Sequence, residues 1–183
     1  MATIKIDEQL LLRTWQTEDA EALFEAIQKD RQHLSPWLSW VATTTRPEHT
    51  LEFIKTSQAQ IRDQEALPLG IFNNGNIIGS TGMHNWCRDT NRAQIGYWID
   101  REHEGKGIVT RSLTALISYL FSNVGLNKIE IHFIKTNVRS ARLAARLGFQ
   151  TEGVIRNSIL NNGMPEDLII TGMLRSEWQA VRT

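Results

Sequence analysis

The stretch Ile95-Gly96-Tyr97-Trp98-Ile99-Asp100-Arg101-Glu102-His103-Glu104-Gly105-Lys106-Gly107-Ile108-Val109-Thr110-Arg111 changes character three times. Apolar residues at 95, 97, 98 and 99 predict a strand, and a short charged turn follows. After Gly105-Lys106-Gly107 an apolar pattern of helical period opens at Ile108. Strand, glycine turn and helix start together make an anion site. The first N–H groups of a helix have no partner inside it, and its dipole favours negative charge there. Glycine at 105 and 107 removes the Cβ that would hold a phosphate away from those amides. The stretch reads as a pyrophosphate cradle.

Other phosphate loops are eliminated by spacing. A nucleotide-hydrolase loop needs Gly-x4-Gly-Lys-Ser/Thr, which the chain lacks, and a dinucleotide fingerprint needs glycine where Thr110 stands. Gly-x-Gly is also the pattern of an ordinary loop before a helix, so residues 95–111 alone leave both readings open.

A second motif lies about thirty residues on. Asn137-Val138-Arg139-Ser140 precedes a helical run closing at Leu147-Gly148-Phe149, then Glu152-Gly153. With Ile-Gly-Tyr-Trp and Gly-Lys-Gly-Ile, these resemble the GNAT superfamily of N-acetyltransferases, most closely the branch that acetylates ribosomal-protein N-termini. The resemblance runs from Leu10-Leu11-Leu12-Arg13 to the last strand near Arg175.

With 183 residues, one domain over 1–183 is expected, long enough to bury a substantial core. Twenty basic and twenty acidic residues cancel, so global charge argues for neither nucleic acid nor an anionic membrane. The single Cys87 excludes an internal disulfide and a Cys-rich metal site, and fits a reducing cytoplasm. Histidines 33, 49, 84, 103 and 132 lack a ligand spacing, so no metal is implied. No secretory signal is visible, and no apolar run approaches the roughly 20 residues of a spanning helix.

Along the chain, Leu10–Trp15 reads as a strand, Thr17 as the cap of a helix carrying Ala20, Leu23, Phe24 and Ile27. His33–Trp40, with two tryptophans and Pro36, reads as a core cover, a wall of the acceptor cleft, or both. Thr45-Arg46-Pro47-Glu48 has capping-box form before a helix reaching Ile61. Strands are expected at Leu67–Phe72 and Ile77–Met83 around the turn 73–76, then at Ala93–Ile99. A helix from Ile108 to about Asn123, a strand Ile129–Ile134 and a helix Val138–Leu147 follow. Strands near Thr151–Leu160 and Leu168–Arg175 close the chain around the turn 161–163. The alternation predicts an α+β fold, matching what the resemblance implies: a mixed, mostly antiparallel seven-stranded sheet with helices on both faces and splayed central strands.

The resemblance implies acetyl-CoA as cosubstrate. The pantetheine arm would lie between strands 95–99 and 129–134, held by amides at Tyr97, Trp98 and Ile99. The pyrophosphate would rest on amides of Glu104, Gly105, Lys106, Gly107, Ile108, Val109 and Thr110, with Asn137 and Ser140 nearby. Glu102 stands where the family has Gln or Arg. Lys106 and Arg111 supply positive charge or are solvated surface residues. Acetyl transfer needs a base for the amine, donors for the oxyanion and an acid for the sulfur. The superfamily's usual acid, a tyrosine four residues before the Gly-Phe glycine, is Ala144 here. The ribosomal branch assigns that role to a serine at the position of Ser140, which is otherwise a helix cap or phosphate contact.

No carboxylate base is apparent, because Gln94 and Ile159 occupy the positions where relatives carry glutamate. His84, at a strand end beside the expected cleft, is the candidate base or else a surface imidazole. Glu130 and His132 share a strand face and read as structural or solvent-facing. Water alone would serve an α-amine better than a lysine: at pH 7 an amine of pKa near 7.8 is roughly 10–15% neutral, a lysine below about 0.1%.

Three readings follow. The first is an N-acetyltransferase of a protein N-terminus, ribosomal in the implied branch, cytoplasmic and homodimeric. The second is transfer to a small amine such as an amino acid, polyamine or antibiotic. The third is an acyl-CoA-binding module with weak or no turnover. An open cleft with acidic rims would favour a peptide acceptor; a closed pocket of Trp37, Trp40 and Trp86 would favour a small one.

Overall fold

The computed structural model describes residues 2–161 and 163–180. Eight strands are hydrogen-bonded in the order β1-β2-β3-β4-β5-β6-β8-β7. They are β1 (Thr3–Lys5), β2 (Leu10–Thr14), β3 (Leu67–Asn73), β4 (Asn76–Cys87), β5 (Arg92–Ile99), β6 (Lys128–Ile134), β7 (Gln150–Asn161) and β8 (Met164–Leu174). The expected count of seven is corrected by β1, three residues that pair Thr3–Lys5 with Leu11–Arg13, too short to leave a periodic signal.

The apolar alternation of β2, buried at Leu10, Leu12 and Thr14, sets one face of the sheet against a large core. Long helices supply the rest: α1 (Ala20–Lys29), α3 (Pro47–Arg62), α4 (Ile108–Tyr119) and α5 (Val138–Arg146), with short α2 (Arg31–Leu34) and α6 (Arg175–Ala180). Helix α4 buries Ile108, Leu113, Leu116 and Ile117 against Ile95, Ile99, Ile129 and Ile131. On the opposite face Leu23, Ile27, Leu34 and Ile54 meet Trp15, Phe72 and Trp98. Two cores thus sandwich one sheet.

The turn at 73–76 is a two-residue Asn-Gly hairpin with φ of +49° at Asn74 and +80° at Gly75, the conformation that matches strand twist. The turn expected at 161–163 includes Asn162, which lies outside the described residues. Two expected caps are replaced. Thr17 sits inside a single 3-10 turn, and the Asp19 carboxylate caps Gln16 N–H at 2.8 Å while pairing bidentately with Arg13. Thr45 does not cap α3 either. Extended Arg46 precedes Pro47 at the helix start, whose ring needs no cap, and the Thr45 amide donates to His49 Nδ1.

Helices α1 and α3 are joined by a buried hydroxyl. Thr50 Oγ1 lies 2.7 Å from the carbonyls of both Ala20 and Pro47. Thr50→Val keeps the shape and strands that contact, so we expect a loss of about 1–2 kcal/mol in urea unfolding.

Every neighbouring pair is antiparallel except β5 and β6, which run parallel because the chain crosses over through α4 between them. Their pairing stops after Arg92–Lys128, Ala93–Ile129 and Gln94–Glu130. Beyond Gln94 the two strands splay, and the gap between 95–99 and 131–134 is where the sheet opens.

Candidate active site

The cradle follows directly from β5. Gly105 and Gly107 both take φ of +72°, and a Cβ built on either would meet nothing within 4 Å, so open space lies in front of them. The helical ladder begins with Arg111 N–H donating to the Gly107 carbonyl at 3.0 Å. The amides of Ile108, Val109 and Thr110 therefore precede the ladder and have no acceptor among the described residues. Three free N–H groups at a helix N-terminus, behind two side-chain-free positions, fit a pyrophosphate.

Glu104 is arranged differently. Its amide is already spent on the Arg101 carbonyl, and its carboxylate accepts from His33 Nε2 at 2.8 Å and Arg139 Nη1 at 2.5 Å. It ties α2, the cradle and α5 together across one side of the site. Arg111 points away, paired with Asp7, and Glu102 is held by Lys29 at 2.8 Å. Lys106 is exposed in the cradle turn.

Backbone donors also face the splay. Asp100 N–H donates to the Ile78 carbonyl at 2.8 Å, which sets the phase of the antiparallel β4–β5 ladder. Amides at Gly96 and Trp98 consequently point to β4, and those at Tyr97 and Ile99 point into the gap. Trp98 contributes its ring instead, buried against Trp40 at 6.4 Å between centroids.

Ser140 lies under the gap on the α4–α5 side, only 8% exposed. Its amide is capped by the Asn137 carboxamide oxygen at 3.0 Å, which fixes the start of α5. Its Oγ lies 2.8 Å from the Tyr97 hydroxyl. Burial pushes the Tyr97 phenol above its ordinary value, against the opposing effect of the Ser140 hydrogen bond. The phenol therefore stays protonated near neutrality and is available as a donor to Ser140. With Ala144 on α5 in place of a tyrosine, the phenol beside Ser140 comes from β5.

His84 stands opposite Gln94 inside β4, which runs on past the expected end at Met83 through a register shift to Cys87. Its Cε1 is 3.3 Å from where a Cβ on Gly96 would stand, so the ring covers that glycine. Desolvation by the surrounding chain and the nearby charge of His132 hold its pKa below the ordinary value, against the opposing effect of a hydrogen bond to Gln94. His84 also borders an open cleft of about 420 Å3, whose lining includes Asp63, Glu65, Trp86 and Arg88. Trp37 and Trp40 are 45% and 39% exposed and do not line that cleft, whereas Trp86, stacked under Arg88, does.

Next to Gln94 the structure gathers a polar cluster that strand periodicity alone did not single out. Glu130 is buried and accepts from Arg92, Lys128 and His132 at 3.1–3.2, 3.2 and 3.0 Å. Burial raises the Glu130 carboxyl, but the hydrogen bond and charge of Lys128, the charge of Arg92 and the His132 hydrogen bond reverse this, leaving it below its ordinary value of 4.5. A lowered folded pKa contributes stability that is complete above the unfolded value and disappears as pH falls through the folded one. We expect the urea midpoint to decline as pH is lowered below about 4.5, and the decline to flatten in Glu130→Gln.

Residues 9–150 match the family described as Acetyltransferase (GNAT) domain. The chain is a GNAT acetyltransferase. A Bacillus subtilis (strain 168) protein named, provisionally, ribosomal N-acetyltransferase YdaF is 33% identical over 180 residues, 98% of each chain. The Escherichia coli (strain K12) [ribosomal protein uS5]-alanine N-acetyltransferase is 28% identical over 181 residues, 93% of this chain and 90% of its own. The microcin C7 self-immunity acetyltransferase MccE, solved with acetyl-CoA and AMP, superimposes with a TM-score of 0.89 at 26% identity, covering 93% of this chain and 94% of its own.

This GNAT chain is thus an N-acetyltransferase that uses acetyl-CoA, with a cradle whose free amides and open glycines suit the cosubstrate's pyrophosphate. The described residues hold no cluster of metal-ligating side chains and no helix long and apolar enough to cross a membrane.

Proposed function

We propose that the enzyme acetylates the α-amine of a protein N-terminus, with a ribosomal protein as acceptor. The observation that carries this reading is the open cleft beside His84, rimmed by Asp63 and Glu65 and lined by Trp86 without Trp37 or Trp40. Such a cleft admits an extended chain, and its carboxylates favour a protonated amine on approach. Relatives named for ribosomal-protein acetylation support the acceptor class. The same reading makes the chain a single domain, cytoplasmic and homodimeric.

Acetyl-CoA supplies an activated acetyl thioester. The cradle amides from Gly105 to Thr110 would hold its pyrophosphate, and the amides of Tyr97 and Ile99 would face its arm and carbonyl. Ser140, whose backbone N–H is capped by Asn137 and whose Oγ is fed by the Tyr97 hydroxyl, delivers the proton taken up by the departing sulfur. His84, held neutral, lines the acceptor side. An α-amine suits this site because its neutral fraction near pH 7 is more than a hundredfold that of a lysine.

Transfer to a small amine is the second reading, favoured by MccE, whose structure holds acetyl-CoA and AMP. Thiol release from acetyl-CoA, measured against N-terminal peptides beside free amino acids, polyamines and aminoglycosides, separates the two. Peptide-confined turnover is expected. Turnover confined to small amines would replace this reading with the second, and silence with CoA still bound would favour a binding module.

A further inference from the structure

We propose that His132, oriented by Glu130, is the general base that takes the proton from the acceptor amine. The proposal rests on the transferase reading and adds the group that the sequence leaves without a candidate carboxylate.

Register places the pair. Gln94 and Glu130 are the last partners of β5 and β6, so two residues further Gly96 and His132 stand level across the gap without pairing. Side chains two apart share a face of a strand, so His132 projects on the face of Glu130, Gln94 and His84. Tyr97, one residue on, projects to the other face and meets Ser140 there at 2.8 Å. A group lying in the gap is thus approached by His132 from one face and by Ser140 from the other. Amine attack calls for a proton acceptor and sulfur departure for a proton donor, and the two faces supply one each. Gly96 has no side chain, which leaves the space in front of His132 open apart from the covering His84 ring.

The dyad has a defined polarity. Glu130 carboxylate can only accept, so His132 Nε2, 3.0 Å from Oε2, carries the hydrogen. Nδ1 then holds the lone pair, and it has no hydrogen-bond partner among the described residues. His132 is 19% exposed on its side chain, reachable yet held. The titratable groups facing it are Glu130 and Lys128 on its own strand, Arg92 on β5, Glu152 on β7 and His84 on β4. Glu130 keeps its negative charge because Arg92 and Lys128 neutralise it from behind, and that charge stabilises the imidazolium that forms.

The step balances within the known reaction. The amine nitrogen forms a bond to the acetyl carbon, the carbon–sulfur bond breaks with its electron pair on sulfur, and the amine proton goes to His132 Nδ1. Sulfur is protonated from the Ser140 side, and His132 releases its proton to solvent.

The test uses the full-length enzyme with whichever peptide or small amine it acetylates. His132→Ala is expected to lower kcat about 10²-fold while the CoA Kd measured by calorimetry moves less than about threefold; added imidazole should restore part of the rate. His132→Gln should be equally slow and not rescued. Glu130 is a positioning residue, and in Glu130→Gln the 15N signals of His132 should leave the Nε2–H tautomer seen in the wild type. A kcat within threefold of wild type in His132→Ala, or a loss that imidazole relieves only in His84→Ala, overturns the proposal. So does an Nδ1–H tautomer in the wild type, a result readable without turnover. Silence of the wild type against every amine would instead sink the acceptor reading, leaving the tautomer measurement to decide the dyad.

Discussion

Ser140→Ala is expected to lower kcat with an N-terminal peptide by roughly 10²–10³-fold, within the range of a positioned general acid. The cofactor side should barely change. The Asn137 cap acts on the backbone N–H of residue 140, which alanine retains, so α5 starts in the same place. What disappears is the hydroxyl beside the Tyr97 phenol. Two controls separate chemistry from packing. Tyr97→Phe removes the donor behind Ser140 and should cost less, about tenfold, if the serine alone meets the sulfur. Ser140→Cys keeps a hydrogen to give and should recover part of the rate. Steady-state thiol release and CoA calorimetry on the same preparations check both. Loss of CoA affinity in step with kcat would assign Ser140 to cofactor binding.

Gly107→Ala is expected to weaken acetyl-CoA by about 10–100-fold while costing the ligand-free protein only about 1–2 kcal/mol. The stability term follows from placing an L side chain at φ +72°, where its Cβ crowds the following carbonyl. The affinity term is separate. The new methyl meets no protein atom within 4 Å, so it enters the open space at the helix start, where the phosphate is proposed to approach. Losing one charge-assisted hydrogen bond of about 1.5–3 kcal/mol accounts for the fold-change. Gly75 provides the control, with φ of +80° and equally open surroundings in the β3–β4 turn. Gly75→Ala should lose similar stability by urea unfolding and leave CoA calorimetry unchanged. Equal effects of the two on CoA would mean that the cradle glycines act through folding alone.

The strand, glycine turn and helix proposed to hold the cofactor were legible from local sequence because each depends on neighbouring residues. A strand ending at Ile99, glycines at 105 and 107 and an apolar helical period from Ile108 are all short-range facts, and an anion site at a helix start needs nothing more. The same locality explains the two misplaced caps. Thr17 and Thr45 have the right residue types, but Arg13 draws Asp19 into the capping role and Pro47 removes the need for one. Strand β1 escaped because three residues are too few to show a period.

The proposed acid and base sides rest on pairings between distant strands. Ser140 gains its Tyr97 partner only because β5 and α5 pack across 43 residues of chain. Glu130 and His132 read in the sequence as structural or solvent-facing residues sharing a strand face. They become an oriented pair, Glu130 buried and His132 partly so, because the parallel register with β5 ends beside them and Arg92 arrives from the neighbouring strand to neutralise the carboxylate. The open, acid-rimmed cleft likewise depends on where the end of α3 meets β4. Composition, local periodicity and the two motifs determined the family, the cradle and the order of elements. Only the tertiary structure decided which side chains face each other across the gap, because the register at which two strands stop pairing depends on the packing of the whole sheet.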